Sequence, residues 1–507
     1  MCATGAAFAA HLGASPAFSK KKAEPKKNVL FIAVDDLRPD LGCYGNTDVK
    51  TPHIDRLAES GTRFSWAFCQ HQQCAPSRAS LLTGRYPHTN GSISNFTATG
   101  EHELTLGERY RAAGYRSIGV GKLHLFEEKQ EGGFTDLMVS GGQHSGATNA
   151  DCLDEDYKNW MREHGHWEAL QAAYAERADP NYRPSFQCKV SPLPPDLYID
   201  GWVGNRAVEF IEGQKADEPF FMFVGLPNPH NPFEPPEPYS SMYDPADMPI
   251  PESFHSDLSG KPPQHLDYKR RGRIAMGSDY ELLTEDALRL VIAYYYASIT
   301  LVDDQVGKIM AALEAKGIAD ETVVVFLSDH GKLLGLHGLL LKSTDAFPIL
   351  YDKCLHVPLI FRVPGAPAGQ VVDTPVELVD MAPTIMEACG QEVAPEFQGF
   401  SLLDAIKGGE APERDWIFTE TGAVKMIRGG GRKLVYYPGQ TYGELYDLES
   451  DPLELSNLWG EPEHADLRTR MTVALVDRLI GAEASLHGES MRGPAYWRTM
   501  HGLPFED

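Results

Sequence analysis

The sequence predicts an α/β fold in which a large, mostly parallel β-sheet is sandwiched by helices and followed by a smaller antiparallel sheet with one helix. Three observations predict it. Apolar runs of strand-forming residues recur along the chain and end in polar residues, and helical patterns separate them. From about Asp415 the strand-forming pieces become short and are separated by glycine and proline. Alternating strands and helices are typical of a sheet covered on both faces.

Four apolar runs define the expected centre of the large sheet. They are continuous rather than alternating, which indicates strands buried on both faces, as in a parallel sheet. Polar residues follow each run, and open α/β sheets bind ligands beyond the carboxyl ends of their strands. We therefore expect one site at this edge. The runs are Asn28–Val34, Tyr115–Gly121, Pro219–Gly225 and Thr322–Ser328.

The segments between the strands predict helices and insertions. Thr51–Gly61, Thr105–Gly114 and Asp286–Gly317 have apolar residues at helical spacing and end in glycine. Residues 128–200 and 231–285 are rich in proline, glycine, histidine and charge. We expect these two segments to be insertions on the catalytic edge, where substrate selection usually resides.

The change of pattern near Asp415 predicts a domain boundary. We expect a catalytic domain at residues 28–412 and a small α+β subdomain at residues 413–507. A final helix is expected at about Ala465–Ala484. The expected antiparallel strands of the subdomain are Trp416–Glu420, Lys425–Arg428, Lys433–Tyr437 and Glu444–Leu448.

Residues 1–27 are expected to be a truncated export signal or a disordered tail. Cys2–Phe18 is small and apolar, Ser15-Pro16-Ala17 offers a cleavage site, and the basic stretch Lys20–Lys27 follows, although no basic segment precedes it. We expect an exported protein, in the periplasm, outside the cell or in a lysosome-type compartment. Stable membrane insertion is not expected, since no later segment offers about 18 uncharged apolar residues.

The composition excludes several classes of protein. The chain has 507 residues, of which 42% are hydrophobic, and this argues against global disorder. It carries 71 acidic and 46 basic side chains, a formal charge of −25, which argues against a duplex nucleic-acid binder. The eight cysteines are too sparse for a disulfide scaffold and have no zinc-type spacing, which leaves one or two bridges open.

Acidic residues end two of the predicted strands. Asp35-Asp36 supplies hard oxygen ligands suited to Mg²⁺ or Ca²⁺, and Asp329-His330 adds a third carboxylate and an imidazole. Either pair alone is more often a helix cap or a solvated turn. Together at one sheet edge they predict a metal site.

The segment Cys74–Arg85 carries the strongest functional pattern. It reads Cys-Ala-Pro-Ser-Arg-Ala-Ser-Leu-Leu-Thr-Gly-Arg and continues through Tyr86–Gly91. A lone cysteine is more often a small buried hydrophobe than a nucleophile, but this stretch matches the sulfatase signature C-x-P-S-R followed by LLTGR. From Asn28 to about Leu458, the chain resembles the formylglycine-dependent sulfatases of the alkaline phosphatase superfamily, which implies an alkaline phosphatase-like fold.

Within that family, different segments resemble different members. Asn28–Gly45 is most similar to the iduronate-2-sulfatases. Pro229–Phe233 and Tyr239–Asp247 are more similar to bacterial carbohydrate sulfatases and to their phosphonate or phosphodiester hydrolase relatives.

The resemblance implies that Cys74 is oxidised to formylglycine (3-oxoalanine) by a formylglycine-generating or anaerobic sulfatase-maturating enzyme. One hydroxyl of the hydrated aldehyde attacks sulfur, and loss of the other hydroxyl's proton expels sulfate and restores the aldehyde. The resemblance also implies one Ca²⁺ ion, held by Asp35, Asp36, Asp329, His330 and residue 74, with Asp329 helping to deprotonate the nucleophile. Histidine is a less typical ligand of Ca²⁺, and the alternative role for His330 is a hydrogen bond to the nucleophile.

Further catalytic roles come from the same resemblance. Arg78 and Lys122 would hold formylglycine as its alkoxide, and His124 would take the second hydroxyl's proton. Lys122, His230 and Lys342 would bind the substrate sulfate. His230 is the expected acid for the leaving alcohol, a role suited to imidazole near neutral pH. Singly, such lysines and histidines are more often surface or structural residues, but their positions in the family pattern favour the catalytic interpretation.

Three functions follow as hypotheses. The first is hydrolysis of a sulfate ester, with a sulfated saccharide as the substrate. The second is hydrolysis of a phosphonate monoester or phosphodiester by the same nucleophile and metal. The third is a non-catalytic sugar- or metal-binding homologue, which predicts a degraded motif, whereas every expected polar position is filled here. The overall charge of −25 does not exclude an anionic ester, because the pocket's cations and Ca²⁺ outweigh its three carboxylates.

Overall fold

The computed structural model describes residues 26–125, 132–141, 156–215, 217–271 and 280–484. The expected export signal or tail lies almost entirely outside these ranges and stays a prediction. Among the described helices, none combines the length and the apolar character needed to cross a bilayer. The cysteines within these ranges all have free thiols: Cys43, Cys69, Cys74, Cys188, Cys354 and Cys389.

Nine of the strands in the described ranges form the large sheet: β1 Asn28–Val34, β2 Thr62–Phe68, β3 Arg116–Gly121, β4 Asp136–Val139, β5 Phe220–Leu226, β6 Thr322–Ser328, β7 His356–Arg362, β8 Gln370–Val372 and β9 Val376–Glu377. Their order is β4-β3-β5-β1-β6-β7-β2-β8, with β9 paired to β2. The pairings of β7 with β6 and β2 are antiparallel, and the others are parallel. The expected large, mostly parallel sheet is confirmed.

The four apolar runs of the sequence become the adjacent parallel strands β3, β5, β1 and β6. Every residue of β1, β5 and β6 is buried. Because successive side chains of a strand point to opposite faces, both faces of the sheet are covered. The outer strands β4 and β8 are short and partly exposed, so they lack the continuous apolar run that marks the central strands.

The described helices are α1 Pro52–Glu59, α2 Cys74–Thr83, α3 Pro87–Asn90, α4 Leu106–Ala112, α5 Asp156–Glu163, α6 Trp167–Ala175, α7 Ile199–Gly213, α8 Pro263–Arg271, α9 Glu285–Lys316, α10 Asp352–Leu355, α11 Met381–Ala388, α12 Leu403–Ile406 and α13 Ala465–Ala484. The long helix α9 packs against α7 and α1, and α2 packs against α4 and α11. Thr284 caps the start of α9, and Gly317, with a φ of 74°, ends it.

The second sheet is an antiparallel meander of β10 Ile417–Thr421, β11 Val424–Gly429, β12 Arg432–Tyr436 and β13 Glu444–Asp447. Helix α13 packs on β11 and β12. The smaller antiparallel sheet with one helix is therefore confirmed. The boundary between residues 412 and 413 stays a prediction.

The register of the central strands determines where the polar groups emerge. Val34, at the end of β1, is paired with Leu226 of β5 and with Ser328 of β6. Gly121, at the end of β3, is paired with Gly225. The residues that follow β1, β3 and β6 therefore begin at the same edge of the sheet.

Candidate active site

Cys74 is the first residue of α2, a helix in which all residues are buried. Its Sγ lies 3.1 Å from His330 Nε2, 3.3 Å from Lys342 Nζ and 3.5 Å from Asp35 Oδ1. Lys122 Nζ lies 3.8 Å away. Groups that follow β1, β3 and β6, together with a lysine from the loop after β6, thus converge on the thiol.

Asn95 caps the helix that begins at Cys74. The preceding residue, Gln73, occupies the N-cap position but makes no side-chain cap bond. Instead, the Ala75 amide donates to Asn95 Oδ1 at 3.1 Å, and the Asn95 amide donates to Gln73 Oε1 at 3.4 Å. The capping role of Asn95 was not predicted from the sequence. A capping residue is normally recognised just before the start of a helix, whereas Asn95 lies beyond the end of this helix.

Arg78 connects three of the strand-end segments to α2. Its side chain is fully buried. Nε donates to Asp329 Oδ2 at 2.8 Å, and Nη1 donates to the Lys122 carbonyl at 2.7 Å. Nη2 lies 3.8 Å from Asp35 Oδ2. The guanidinium therefore fixes the position of the first turn of α2 relative to the sheet edge, as expected of a planar side chain with several donors.

A close approach of β3 and β5 positions Lys122. Its amide donates to the Gly225 carbonyl at 2.9 Å. A Cβ placed on Gly225 would lie 1.9 Å from the Lys122 carbonyl oxygen. Only glycine at 225 allows that carbonyl to lie where Arg78 binds it, and the Lys122 ammonium then pairs with Asp35.

Asp36 adopts a left-handed backbone conformation, with a φ of 64°. Two hydrogen bonds hold it there: its amide donates to Asp329 Oδ1 at 3.2 Å, and the Tyr295 hydroxyl donates to its carbonyl at 2.9 Å. Lys342 Nζ and His330 Nδ1 lie 2.8 and 2.9 Å from its Oδ1. This uncommon conformation directs the carboxylate into the cluster.

Lys332 is a member of the cluster that the sequence did not indicate. It is fully buried, and its Nζ lies 2.8 Å from Asp36 Oδ2. The ammonium also lies over the rings of Phe233 and Tyr295, at 4.8 and 5.9 Å from their centroids. Its position two residues after the Asp329-His330 pair could have identified Lys332 as a site residue. Lysines are usually exposed, however, so the residue type argues against a buried position in the site.

The two predicted catalytic histidines occupy different positions. His230 Nε2 lies 3.9 Å from Asp36 Oδ2, and the side chain is 21% exposed, so the ring lies between the cluster and solvent. His124 follows Lys122 by two residues and has a φ of 51°. Its buried Nδ1 has no hydrogen-bond partner within the described part of the chain. His230 is thus placed beside the cluster.

The electrostatics of the cluster favour the ionised forms of Asp36 and Cys74 despite their burial. Burial raises the pKa of Asp36, but Lys332 and Lys342 outweigh it and hold the pKa well below its usual range. Burial and a neighbouring carboxylate raise the pKa of the Cys74 thiol, but Lys122 and Lys342 outweigh both and lower it well below its usual range. The site is therefore an array of buried ion pairs around the Cys74 sulfur.

The donor atoms of the cluster are close enough to bind a cation. One ligand atom from each of Asp35, Cys74, Asp329 and His330 lies within 4.8 Å of the others, and Asp35, Asp36 and His230 form a second such group. Asp35 belongs to both groups, so the two form one acidic centre. Three carboxylates and imidazole nitrogen are ligands that bind divalent metal ions.

Comparisons with known proteins agree with this geometry. A family model described as Sulfatase matches residues 27–391, and one described as N-sulphoglucosamine sulphohydrolase, C-terminal, matches residues 345–480. An arylsulfatase of Clostridium perfringens is 28% identical over 491 residues, which cover 90% of this chain and 95% of that protein.

Two further relatives extend the comparison. Iduronate 2-sulfatase of Homo sapiens is 30% identical, over 84% of this chain and 75% of that protein. The crystal structure of phosphonate monoester hydrolase of Agrobacterium radiobacter is similar with a TM-score of 0.72 at 24% identity, over 90% of this chain and 96% of that chain. At that identity the structural likeness shows the fold alone.

The match to the Sulfatase family model spans most of the chain. It includes Asp35, Lys122 and Asp329, which directly follow strands, and the helix that begins at Cys74. The resemblance noted in the sequence is confirmed. The chain belongs to the sulfatase family and is a sulfuric ester hydrolase.

Proposed function

We propose that the protein hydrolyses a sulfate ester of a carbohydrate, with formylglycine at position 74 and one bound Ca²⁺ ion. The observation that carries the proposal is the position of Cys74. It lies at the start of a buried helix, within 3.5 Å of His330, Lys342 and Asp35. A group at this position faces both an acidic metal-binding centre and the cations that an anionic ester requires.

The donor set fits a hard divalent cation. Asp35, Asp36 and Asp329 are fully or almost fully buried and supply carboxylate oxygens, the ligands that Ca²⁺ prefers, and His330 adds a nitrogen. A bound Ca²⁺ would supply positive charge to the sulfate oxygens and to the oxygen nucleophile at position 74. Oxygen-rich coordination favours Ca²⁺ over softer transition metals.

The residues around position 74 suit the roles that the family implies. Arg78 and Lys122, both buried, would stabilise the oxyanion form of a hydrated formylglycine. Lys342, whose Nζ lies 3.3 Å from Cys74 Sγ, would bind the sulfate together with Lys122 and His230. Preorganised cations in a buried site stabilise the charge that develops on the transferring group.

The two histidines would move protons. Burial and Lys342 lower the pKa of His230 to about 3, and we expect an anionic ester beside Lys342 to favour the protonated ring. Its position beside Asp36 and open to solvent suits donation of that proton to the leaving alcohol. His124 would accept the proton of the second formylglycine hydroxyl as sulfate leaves.

A saccharide substrate is supported by the relatives and by the surroundings of His230. The human relative is named for iduronate, a uronic acid. Residues of the two expected insertions meet beside His230: the Lys189 amide donates to the Phe233 carbonyl at 3.0 Å, and Asn231 Nδ2 donates to Gln187 Oε1 at 3.2 Å. Insertions that border a catalytic residue are suited to select the alcohol part of an ester.

A phosphonate monoester or phosphodiester hydrolase is the second candidate, favoured by the similarity to the Agrobacterium radiobacter enzyme. Comparing kcat/KM for 4-nitrophenyl sulfate with kcat/KM for a 4-nitrophenyl phosphodiester separates the two, because the leaving group is the same. We expect the sulfate to be preferred and a panel of sulfated mono- and oligosaccharides to yield a better substrate than either. A strong phosphodiester preference would contradict the first proposal.

The modification of Cys74 is tested by mass spectrometry. We expect the peptide that contains Cys74 to carry the aldehyde when the protein is produced together with a formylglycine-generating or anaerobic sulfatase-maturating enzyme, and an unmodified thiol without it. Activity should follow the fraction of aldehyde, and Cys74→Ala should have none. Full activity in a sample that retains only the thiol would show that formylglycine is not the nucleophile.

The identity of the ion is tested by removing and restoring it. Treatment with a chelator should abolish activity, and Ca²⁺ should restore it more effectively than Mg²⁺ or Zn²⁺ at equal free concentration. Metal content measured on the purified active protein should give one Ca²⁺ per chain. Unchanged activity in a sample shown to be metal-free would exclude a catalytic ion.

A further inference from the structure

Phe96 is the most exposed large apolar side chain in the described part of the chain, with 83% of its surface accessible. Ile93, three residues earlier, is 42% exposed. Exposing a phenylalanine to water is unfavourable, since burial of a side chain of this size is worth about 1.5–3 kcal/mol. The position therefore needs an explanation from its surroundings.

The loop that carries Phe96 is closed by hydrogen bonds among its own residues. We call residues 92–97 the rim loop. The Thr97 hydroxyl oxygen accepts hydrogen bonds from the amides of Ile93 and Ser94 at 2.8 and 2.9 Å, and the Ser92 hydroxyl donates to the Thr97 carbonyl at 3.0 Å. The Phe96 amide donates to Ser94 Oγ at 3.1 Å. The exposure of Phe96 is thus built into an internally bonded loop.

The rim loop is attached directly to the nucleophile segment. Asn95, the neighbour of Phe96, accepts from the Ala75 amide at 3.1 Å and donates to Gln73 at 3.4 Å. Residues 73 and 75 flank Cys74. Phe96 is consequently the neighbour of a residue that bonds to both residues flanking Cys74, through its side-chain oxygen to Ala75 and through its backbone amide to Gln73.

Among the described residues, the side chains that contact Cys74 offer a sugar little apolar surface. The groups around Cys74 are carboxylates, ammonium groups and imidazole, which suit the sulfate but not the C–H face of a pyranose ring. Aromatic rings supply a flat apolar surface at a low cost in conformational entropy. Phe96 provides such a surface on a loop that is hydrogen-bonded to the residues flanking Cys74.

We propose that Phe96 is a specificity-determining residue that stacks on the apolar face of the sugar ring carrying the sulfate ester. The proposal rests on the proposed function, a carbohydrate sulfatase. In this proposal, two neighbouring residues of the rim loop have different roles. Asn95 attaches the loop to the helix that begins at Cys74, and Phe96 contacts the sugar ring.

The test compares a cyclic and an acyclic sulfate ester. Parent, Phe96→Ala and Phe96→Trp are assayed on the sulfated saccharide that the parent hydrolyses best and on glycerol monosulfate, which has no ring. Phe400→Ala is the matched control, because Phe400 is also exposed, at 44%, and contacts Arg414 rather than the site. Thermal unfolding verifies that each variant folds, and each is loaded with formylglycine to the same extent.

We expect Phe96→Ala to lower kcat/KM on the saccharide about 2- to 10-fold, mainly through KM, because an aromatic contact contributes that much to affinity. Phe96→Trp should keep kcat/KM on the saccharide close to the parent value, because tryptophan also offers an aromatic face. For both variants, kcat/KM on glycerol monosulfate should stay within about 2-fold of the parent value, as expected when only the ring contact is lost. If Phe96→Ala lowers kcat/KM equally on both substrates, or on neither, the stacking role is wrong and the proposed function still stands. A parent that hydrolyses no sulfated saccharide would instead refute the proposed function, and the stacking role with it.

Discussion

At the scale of single residues, the site is defined by how its charges compensate one another. The carboxylates of Asp35, Asp36 and Asp329 face Arg78 and three lysines, all buried or nearly so. Such an array is stable only while each charge keeps its partner, because an uncompensated buried charge is costly. We therefore expect the partners to be exchanged on binding: a cation would bind the carboxylates, and an anionic ester would bind the lysines.

Lys332→Met tests this compensation. The variant keeps an apolar side chain of similar length but leaves Asp36 Oδ2 without the ammonium that lies 2.8 Å away. In chelator we expect the free energy of unfolding to fall by about 1–3 kcal/mol, because a buried charged acceptor loses a partner. Added Ca²⁺ should then raise the unfolding midpoint more than in the parent. The exposed substitution Lys407→Met serves as the control, and an equal Ca²⁺-induced rise in all three proteins would contradict the prediction.

At the scale of elements, the meeting point of β3, β5 and α2 positions the cluster. Strand β5 can approach β3 closely because Gly225 has no side chain, and the Lys122 carbonyl then accepts from Arg78 in α2. The start of α2 is fixed from the other side by Asn95. Two strand ends and a helix start are thus held together by contacts that involve backbone groups.

Gly225→Ala should disrupt this junction. The new Cβ would lie 1.9 Å from the Lys122 carbonyl oxygen, so the strand ends must separate. We expect kcat/KM to fall at least about 10-fold and stability to fall by about 1–3 kcal/mol, the usual cost of overpacking. Gly213→Ala, at a position where a Cβ meets nothing within 4 Å, is the control and should leave both quantities unchanged. Wild-type activity of the Gly225 variant would show that the close approach is not required.

Asn95→Ala should loosen the start of α2. Loss of the bond to the Ala75 amide is expected to cost about 1 kcal/mol of stability, typical of a lost helix cap, and to lower kcat because position 74 is displaced. Asn95→Asp keeps an acceptor oxygen and should retain most of the stability and the activity. If the alanine variant unfolds earlier but keeps its kcat, the cap is structural only.

At the scale of the whole molecule, a buried polar network joins the small sheet to helix α8. Glu444 of β13 accepts hydrogen bonds from the hydroxyls of Tyr437 and Tyr446, and its Oε1 lies 3.1 Å from His265 Nε2 in α8. Burial alone raises the pKa of Glu444, but His265 and the two tyrosines outweigh it and lower the pKa to about 2. The small sheet is thus bound to the catalytic region by an ionised carboxylate.

The lowered pKa predicts an acid-dependent loss of stability. A carboxylate whose pKa is lower in the folded than in the unfolded state contributes stability above pH 4.5, and this contribution disappears as the pH falls towards 2. The full contribution is about 3 kcal/mol at 1.36 kcal/mol per pKa unit. Glu444→Gln should make the unfolding midpoint less dependent on pH between 5 and 3, measured in chelator to exclude effects on the metal site. Glu449→Gln, on an exposed residue of the same segment, should leave the pH dependence of the unfolding midpoint unchanged. If the midpoint depends on pH equally in all three proteins, the role of Glu444 is refuted.

The sequence by itself determined the fold class, the four central strands and the helix that ends the small subdomain. A strand buried on both faces and an amphipathic helix each produce a recognisable pattern of apolar residues within a short segment. It also pointed to Cys74 and to the polar residues that follow the strands, which the large sheet brings to one edge. The tertiary structure alone decided which groups touch. Lys332, Tyr295 and Asn95 meet the site only through the sheet register, the packing of α9 and a loop beyond the end of α2. Contacts between segments far apart in sequence leave no local pattern, since each partner's residue type is explained equally well by ordinary burial or a turn.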